Sequence, residues 1–361
     1  MRSSSAGAFR RASGAITTVL AVAVALVRPG SSSAQDALSE PPARLSETGL
    51  YGADGRVDPR HLAYTPQYPL WTDGATKSRW IALPLGAKVD VSDVDAWRLP
   101  VGTKLWKEFA WNGRKVETRM LWRSGEERWT FASYLWDEDQ REAWLAPAEG
   151  VPRASEIAPG RWHSIPSHSD CQACHGSAPA RALGFGALQL SDDRDPLAPH
   201  AEPLRSGQAT LRSLVEADLL DPPRPELVDH PPRIRATDPT ARAALGYLST
   251  NCGGCHNATS PLARLGLELH HDVAGDPASP EPAERTTVNV APARFTMPGV
   301  PAERVRLVAP GVPEESALLY RMRSRRPSSQ MPPLGTTIVD EEAVALLTRW
   351  ITDLGRSATR D

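Results

Sequence analysis

Four cysteines fall into two pairs, Cys171-Gln172-Ala173-Cys174-His175 and Cys252-Gly253-Gly254-Cys255-His256. In each, two residues separate the thiols and a histidine follows at once. Two thiols on one turn of chain can add to the two vinyl groups of a haem, and the next residue then lies under the iron as its proximal ligand. Two covalently bound haem c groups are therefore expected, held by Cys171, Cys174, Cys252 and Cys255, with His175 and His256 on the irons. A zinc site made of the four thiolates would leave both adjacent histidines unexplained. No βαβ pattern surrounds either pair, which argues against a thioredoxin-like dithiol.

Each iron has a second axial position. Met331, in "SSQMPPLGT" (328–336), precedes two prolines just upstream of the last helical segment, and is the expected thioether ligand of the second iron. His/Met ligation favours reduced iron and suits electron transfer. Met297, in "FTMPG", is its competitor, and Met322 is expected to pack on a helix. The first iron must differ, because the 76 residues between the two motifs contain no methionine. Its distal candidates are His163, Met120 and Met297, with an open position as the alternative. His163 has eight residues of reach to Cys171 but equally fits a hydrogen-bonding role. Met120 would serve only if its strand packs over the haem. His168 has about 10 Å of chain to round the haem edge, barely enough. His200 and His230 lie in proline-rich loops and are expected to be exposed.

Several kinds of element must position these groups. Ten of the eleven tryptophans lie between Trp71 and Trp162. There, "RWIALPL" (79–85), "GTKLWKEFAW" (102–111), "KVETRMLWR" (115–123) and "RWTFASYLW" (128–136) alternate apolar and polar residues between turn signals, the pattern of an antiparallel, sandwich-like sheet with one buried face. Alternating tryptophans of this kind point to core more than to carbohydrate binding. "SGQATLRSLVEADLL" (206–220) reads as a helix starting near Ser206, and "DPPRPELVDHPPR" (221–233) as a proline-rich linker. Beyond it, Ala241, Leu245 and Leu248 share a face of a helix leading into the second motif. Val344, Leu347 and Ile351 form the stripe of a capped final helix.

The resulting expectation is an α+β multi-domain chain. A linker or arm (35–60) precedes a Trp-rich β domain (61–150), a loop and helix segment with the first haem motif (151–236), and an all-α domain with the second (237–361). Residues 1–34 read as a signal peptide: a basic start, the apolar run "AITTVLAVAVALV" and a small-residue cleavage site at Ala34. Its 13 apolar-leaning residues are short for a membrane span of about 20. An uncleaved anchor is the lesser alternative. Removing this segment takes four arginines and no acid, leaving 37 basic against 43 acidic side chains, so the formal charge goes from −2 to −6. Such a chain lacks the cationic field that nucleic acid requires and suits basic redox partners.

The combination resembles exported bacterial diheme c-type cytochromes with a Trp-rich N-terminal β region. The resemblance rests on "YPLWTDGATKSRWIALP" (68–84), "VETR" (116–119), "IPS" before the first haem motif with "LGF" and "QL" beyond it, and the Met-Pro-Pro turn. It spans Tyr64 to Leu354. It implies a class I cytochrome c domain at the C-terminus and a periplasmic protein carrying electrons between a dehydrogenase and a downstream acceptor. The family pattern often has arginine where this chain has His168, so no ligand role is carried to that position. Two other functions remain open: a diheme enzyme of the peroxidase type with an open first iron, and a β module that docks a ligand or partner with the haems as its redox readout.

Overall fold

The computed structural model describes residues 40–357, which form one compact unit. The expected signal peptide lies outside the described residues. The architecture is mixed α+β. Ten strands are found: β1 (Leu62–Ala63), β2 (Thr76–Ala82), β3 (Val89–Asp90), β4 (Lys104–Trp111), β5 (Arg114–Arg123), β6 (Trp129–Trp136), β7 (Ala143–Leu145), β8 (Val151–Ala158), β9 (Arg161–Ile165) and β10 (Leu220–Asp221). The eight α-helices among the described residues are α1 (His168–Ser177), α2 (Ala187–Leu190), α3 (Leu211–Glu216), α4 (Glu226–Asp229), α5 (Pro239–Asn251), α6 (Pro282–Thr287), α7 (Ala317–Arg323) and α8 (Glu341–Ser357).

The alternating segments form one antiparallel sheet in the order β1-β2-β4-β5-β6-β7. It is not half of a sandwich. Its period-2 alternation creates two buried faces, and each is covered by loops and helices. On one face Trp106, Met120, Ala132 and Tyr134 pack under Leu45 and Leu50, both fully buried. The polar stretch expected as a free arm is thus a cover, anchored by isolated leucines. On the other face Ile81, Leu105 and Leu121 meet Ala182, Phe185, Leu190, Leu211 and Leu214 from the chain beyond the first motif.

Helix α3 begins at Leu211 under a Thr210 cap, later than Ser206. The expected linker is also packed. Leu220–Asp221 pairs in parallel with Val89–Asp90, Arg224 donates to the Val91 and Ser92 carbonyls, and Leu227 is buried.

In the C-terminal region, Leu245 and Leu248 of α5 share a core with Val344, Leu347 and Ile351 of α8. The Tyr247 hydroxyl donates to Asp340 at 3.0 Å, tying the two helices. Tyr68 belongs to the same core, so the "YPLW" segment before β2 is built into the helical region. A Cβ on Gly246 would fall 2.1 Å from the Tyr68 ring. We expect Gly246→Ala to destabilise the protein by about 3 kcal/mol through overpacking, measurable by thermal denaturation; an unchanged midpoint would contradict this packing.

Candidate functional site

The hairpin β8–β9 delivers the chain to the first cysteine pair, with buried Ile165 as its last residue. Ser167 then caps α1: its hydroxyl accepts from the Asp170 amide at 3.1 Å, while the Asp170 carboxylate accepts from the Ser167 amide at 3.0 Å. This reciprocal capping box starts the helix one turn before Cys171. It explains the "IPS" that precedes the motif.

His175 Nδ1 lies 2.6 Å from the Arg181 carbonyl, and the ring packs 5.5 Å from Phe131. Burial pushes its pKa down to about 4. The ring is therefore neutral, with Nδ1–H donating to the carbonyl and Nε2 left as the electron-pair donor, the tautomer a metal-ligating histidine adopts. Burial also pushes the Cys171 thiol up to about 11 and raises that of Cys174. Thiols in such a setting stay uncharged, as the thioethers formed from them would be.

The second pair follows the C-terminus of α5. The Cys252 and Gly253 amides both donate to the Leu248 carbonyl, and the His256 amide donates to that of Cys252. A Cβ on Gly253 would meet the Ser249 carbonyl at 2.4 Å and the His270 backbone at 2.8 Å, so glycine is required there. Burial raises Cys252 to about 12, and lowers His256, whose Nδ1 is buried without a hydrogen-bond partner. A buried orphan ring nitrogen is costly, and a prosthetic group rotating or ligating the ring would relieve it. Arg321 acts on His256 electrostatically, and its carbonyl accepts from the Met331 amide at 3.0 Å. Half-buried Met331 is thereby tied to α7, whose Arg321 side chain lies within electrostatic reach of His256.

This arrangement is held from the N-terminal side. Asp73 accepts from the Thr337 amide and hydroxyl and from the Ile338 amide, at 2.8 to 3.0 Å. Trp71 donates its amide to Asn251 Oδ1 at 2.7 Å and its indole N–H to the Ile338 carbonyl at 3.3 Å. The "WTDG" of the resemblance therefore clamps the residue before Cys252 to the segment just after Met331-Pro-Pro. Sequence reasoning assigned these side chains no role.

The two motifs are neighbours. Asn257 Nδ2 donates to the Ser177 carbonyl at the end of α1, and also to the Gly253 and Gly254 carbonyls. After burial, Cys255 is the next influence raising the Cys174 pKa.

Sequence-named distal candidates for the first iron are engaged elsewhere. Met120 is buried on the sheet face opposite the one that bears Phe131 and meets His175. Met297 packs with Val305 and Ala317. His163 is buried, 2.8 Å from the Glu117 carboxylate, with Trp111 against its ring. His168 is exposed on the first turn of α1, and His230 is exposed as expected. His200 is not free: it bonds Asp340 at 2.8 Å and packs on Trp71, steadying the start of α8.

Two histidines escaped notice, adjacent in "LHHD" and distant in sequence from the first motif. His271 is buried against the Glu281 carboxylate at 2.9 Å. His270, pushed to about 4 by burial, lines a cleft of about 110 Å³ between the sheet, the loop beyond α1 and the second motif. Arg79, Lys107, Tyr68, Phe185 and Gly254 share that mainly apolar lining.

Comparison of the chain with family models, with characterised proteins and with solved structures gave no match. Among the described residues, no three or more His, Cys, Asp or Glu side chains converge as a closed zinc centre would require, and no helix is long and apolar enough to cross a membrane.

Proposed function

We propose that the chain is an exported diheme c-type cytochrome whose role is electron transfer between redox proteins in the periplasm. The observation that carries this reading is the side-by-side placement of two Cys-x-x-Cys-His segments, joined through Asn257. Cys171, Cys174 and His175 would hold one haem; Cys252, Cys255, His256 and Met331 the other. When bound, these groups supply one-electron iron couples.

The chain's own residues set the conditions. Arg181 fixes the His175 tautomer, the capping box of Ser167 and Asp170 holds the first pair in register, and Asp73 and Trp71 anchor the segment that follows Met331-Pro-Pro. We read α5 and α8, packed on each other around the second motif, as a class I cytochrome c domain. The expected partners are a periplasmic dehydrogenase and a downstream acceptor.

A second reading is kept alive by the cleft. With Met120, Met297 and His163 engaged elsewhere, and the neutral imidazole of His270 beside the motifs, a peroxidase-type enzyme with an open first iron fits the same residues. Low-temperature EPR of the oxidised protein separates the two. The carrier predicts two low-spin ferric signals; a high-spin signal for one haem per chain would overturn it in favour of the enzyme.

A further inference from the structure

The sheet face beneath α1 carries a charge pattern that the cysteine motifs do not explain. Strand register puts Arg79 opposite Lys107, and Lys107 opposite Arg119, so three cations stand in one row across β2, β4 and β5. Like charges directly opposite each other on adjacent strands are destabilising. Lys77 lies one step along on the same face, opposite Phe109.

The available carboxylates do not neutralise this row. Glu117 is fully buried, but both its oxygens are bound by Arg119, at 2.7 and 2.8 Å, and one of them by His163. Glu202 reaches Arg79 only at 3.7 Å, and Arg79 Nη2 is buried with no hydrogen-bond partner although the residue is 4% exposed. Lys77 Nζ is turned to the Ala75 carbonyl. Among the described residues Lys107 makes no ion pair. Burial, with Arg79, Lys77 and Arg119 around it, pushes its pKa well down. Arg79 is buried with one nitrogen unpartnered, and half-buried Lys107 has only the Phe109 ring, 5.2 Å away, beneath its ammonium; cations so placed favour a ligand with negative charge.

Position names that ligand. Lys107 and Arg79 line the cleft described above. Lys107 and Arg119 both act electrostatically on Cys174 and on His175. A group anchored through Cys171 and Cys174 and ligated by His175 lies within reach of this row, and a haem carries two carboxylates at the edge opposite its vinyl groups. We propose that Lys107 and Arg79 are the propionate-binding residues of the first haem, with Arg119, paired to Glu117, at the cysteine end of the row. This rests on the reading of the chain as a two-haem protein. The row then does two things: it neutralises the propionates in a buried setting, and its positive charge favours the reduced iron, so it raises the potential of the first haem alone.

The test is redox potentiometry on the full-length holoprotein, comparing wild type with Lys107→Gln, Lys107→Arg and Arg79→Gln. In Lys107→Gln the equilibrium constant for reducing one haem should fall about tenfold, a shift of about 59 mV, with the other haem unmoved. Lys107→Arg should restore most of it. Arg79→Gln should shift the same haem in the same direction, which covers the case in which Lys107→Gln folds poorly. Two haems with both potentials unchanged in these variants would overturn the proposal. A wild-type potential that moves saturably with added phosphate, and no longer does so in Lys107→Gln, would also overturn it by showing an exchangeable anion. Fewer than two haems in the wild type would instead refute the underlying two-haem reading.

Discussion

Replacing Met331 by alanine is expected to convert one haem of the oxidised protein from low to high spin and leave the other unchanged. The backbone around Met331 is anchored at several points. The Met331 amide donates to the Arg321 carbonyl, Arg321 acts on His256, and Asp73 ties down residues 337–338 a few positions on. Removing the sulfur leaves these backbone anchors intact, so the fold should survive and the effect should be local to the second iron. Loss of the thioether also removes its preference for ferrous iron, so the potential of that haem should drop. The checks are EPR and the optical spectrum of the variant beside wild type. Retention of both low-spin signals would refute Met331 as ligand and turn attention to Met297.

Asp73→Ala should have the larger structural effect. Four contacts to Thr337 and Ile338 end on this one carboxylate, which is 6% exposed. Truncation strands two backbone amides and a hydroxyl. Thr337 is exposed and Ile338 half-buried, so water can replace part of the lost bonding, and a loss of about 1–3 kcal/mol is expected, read as a drop in the denaturant midpoint. Because these residues lie six and seven positions beyond Met331, the same variant should show a mixed-spin second haem while the first is unaffected. A destabilised protein with a normal second haem would mean that the clamp is structural only.

The sheet, the two helices of the C-terminal region and the cysteine motifs were legible because each follows a local rule. Strands β2, β4, β5 and β6 alternate with period 2, α5 and α8 repeat their apolar residues with helical period, and each Cys-x-x-Cys-His spacing lies within five consecutive residues. What escaped depends on distant pairing. Leu45 and Leu50 are isolated leucines in a polar stretch, and only the sheet face they meet reveals them as core. Asp73 and Trp71 look like turn residues, because their partners lie 180 or more positions away. Lys107, Arg79 and Arg119 read as ordinary solvent-facing residues of alternating strands. Their row exists only once register is known and the face is seen to lie under α1. Predicting a single buried face hid this, since the second face is covered by loops and helices with no periodic signature of their own.

The most direct test of the central claim is haem stoichiometry. The full-length chain is produced with its export segment in a host that matures c-type cytochromes, and the purified protein is denatured and assayed as its alkaline pyridine haemochrome. Two covalent haems per chain are expected, with one lost in Cys174→Ala and the other in Cys255→Ala. A wild-type chain that carries one haem, or none, would contradict the account.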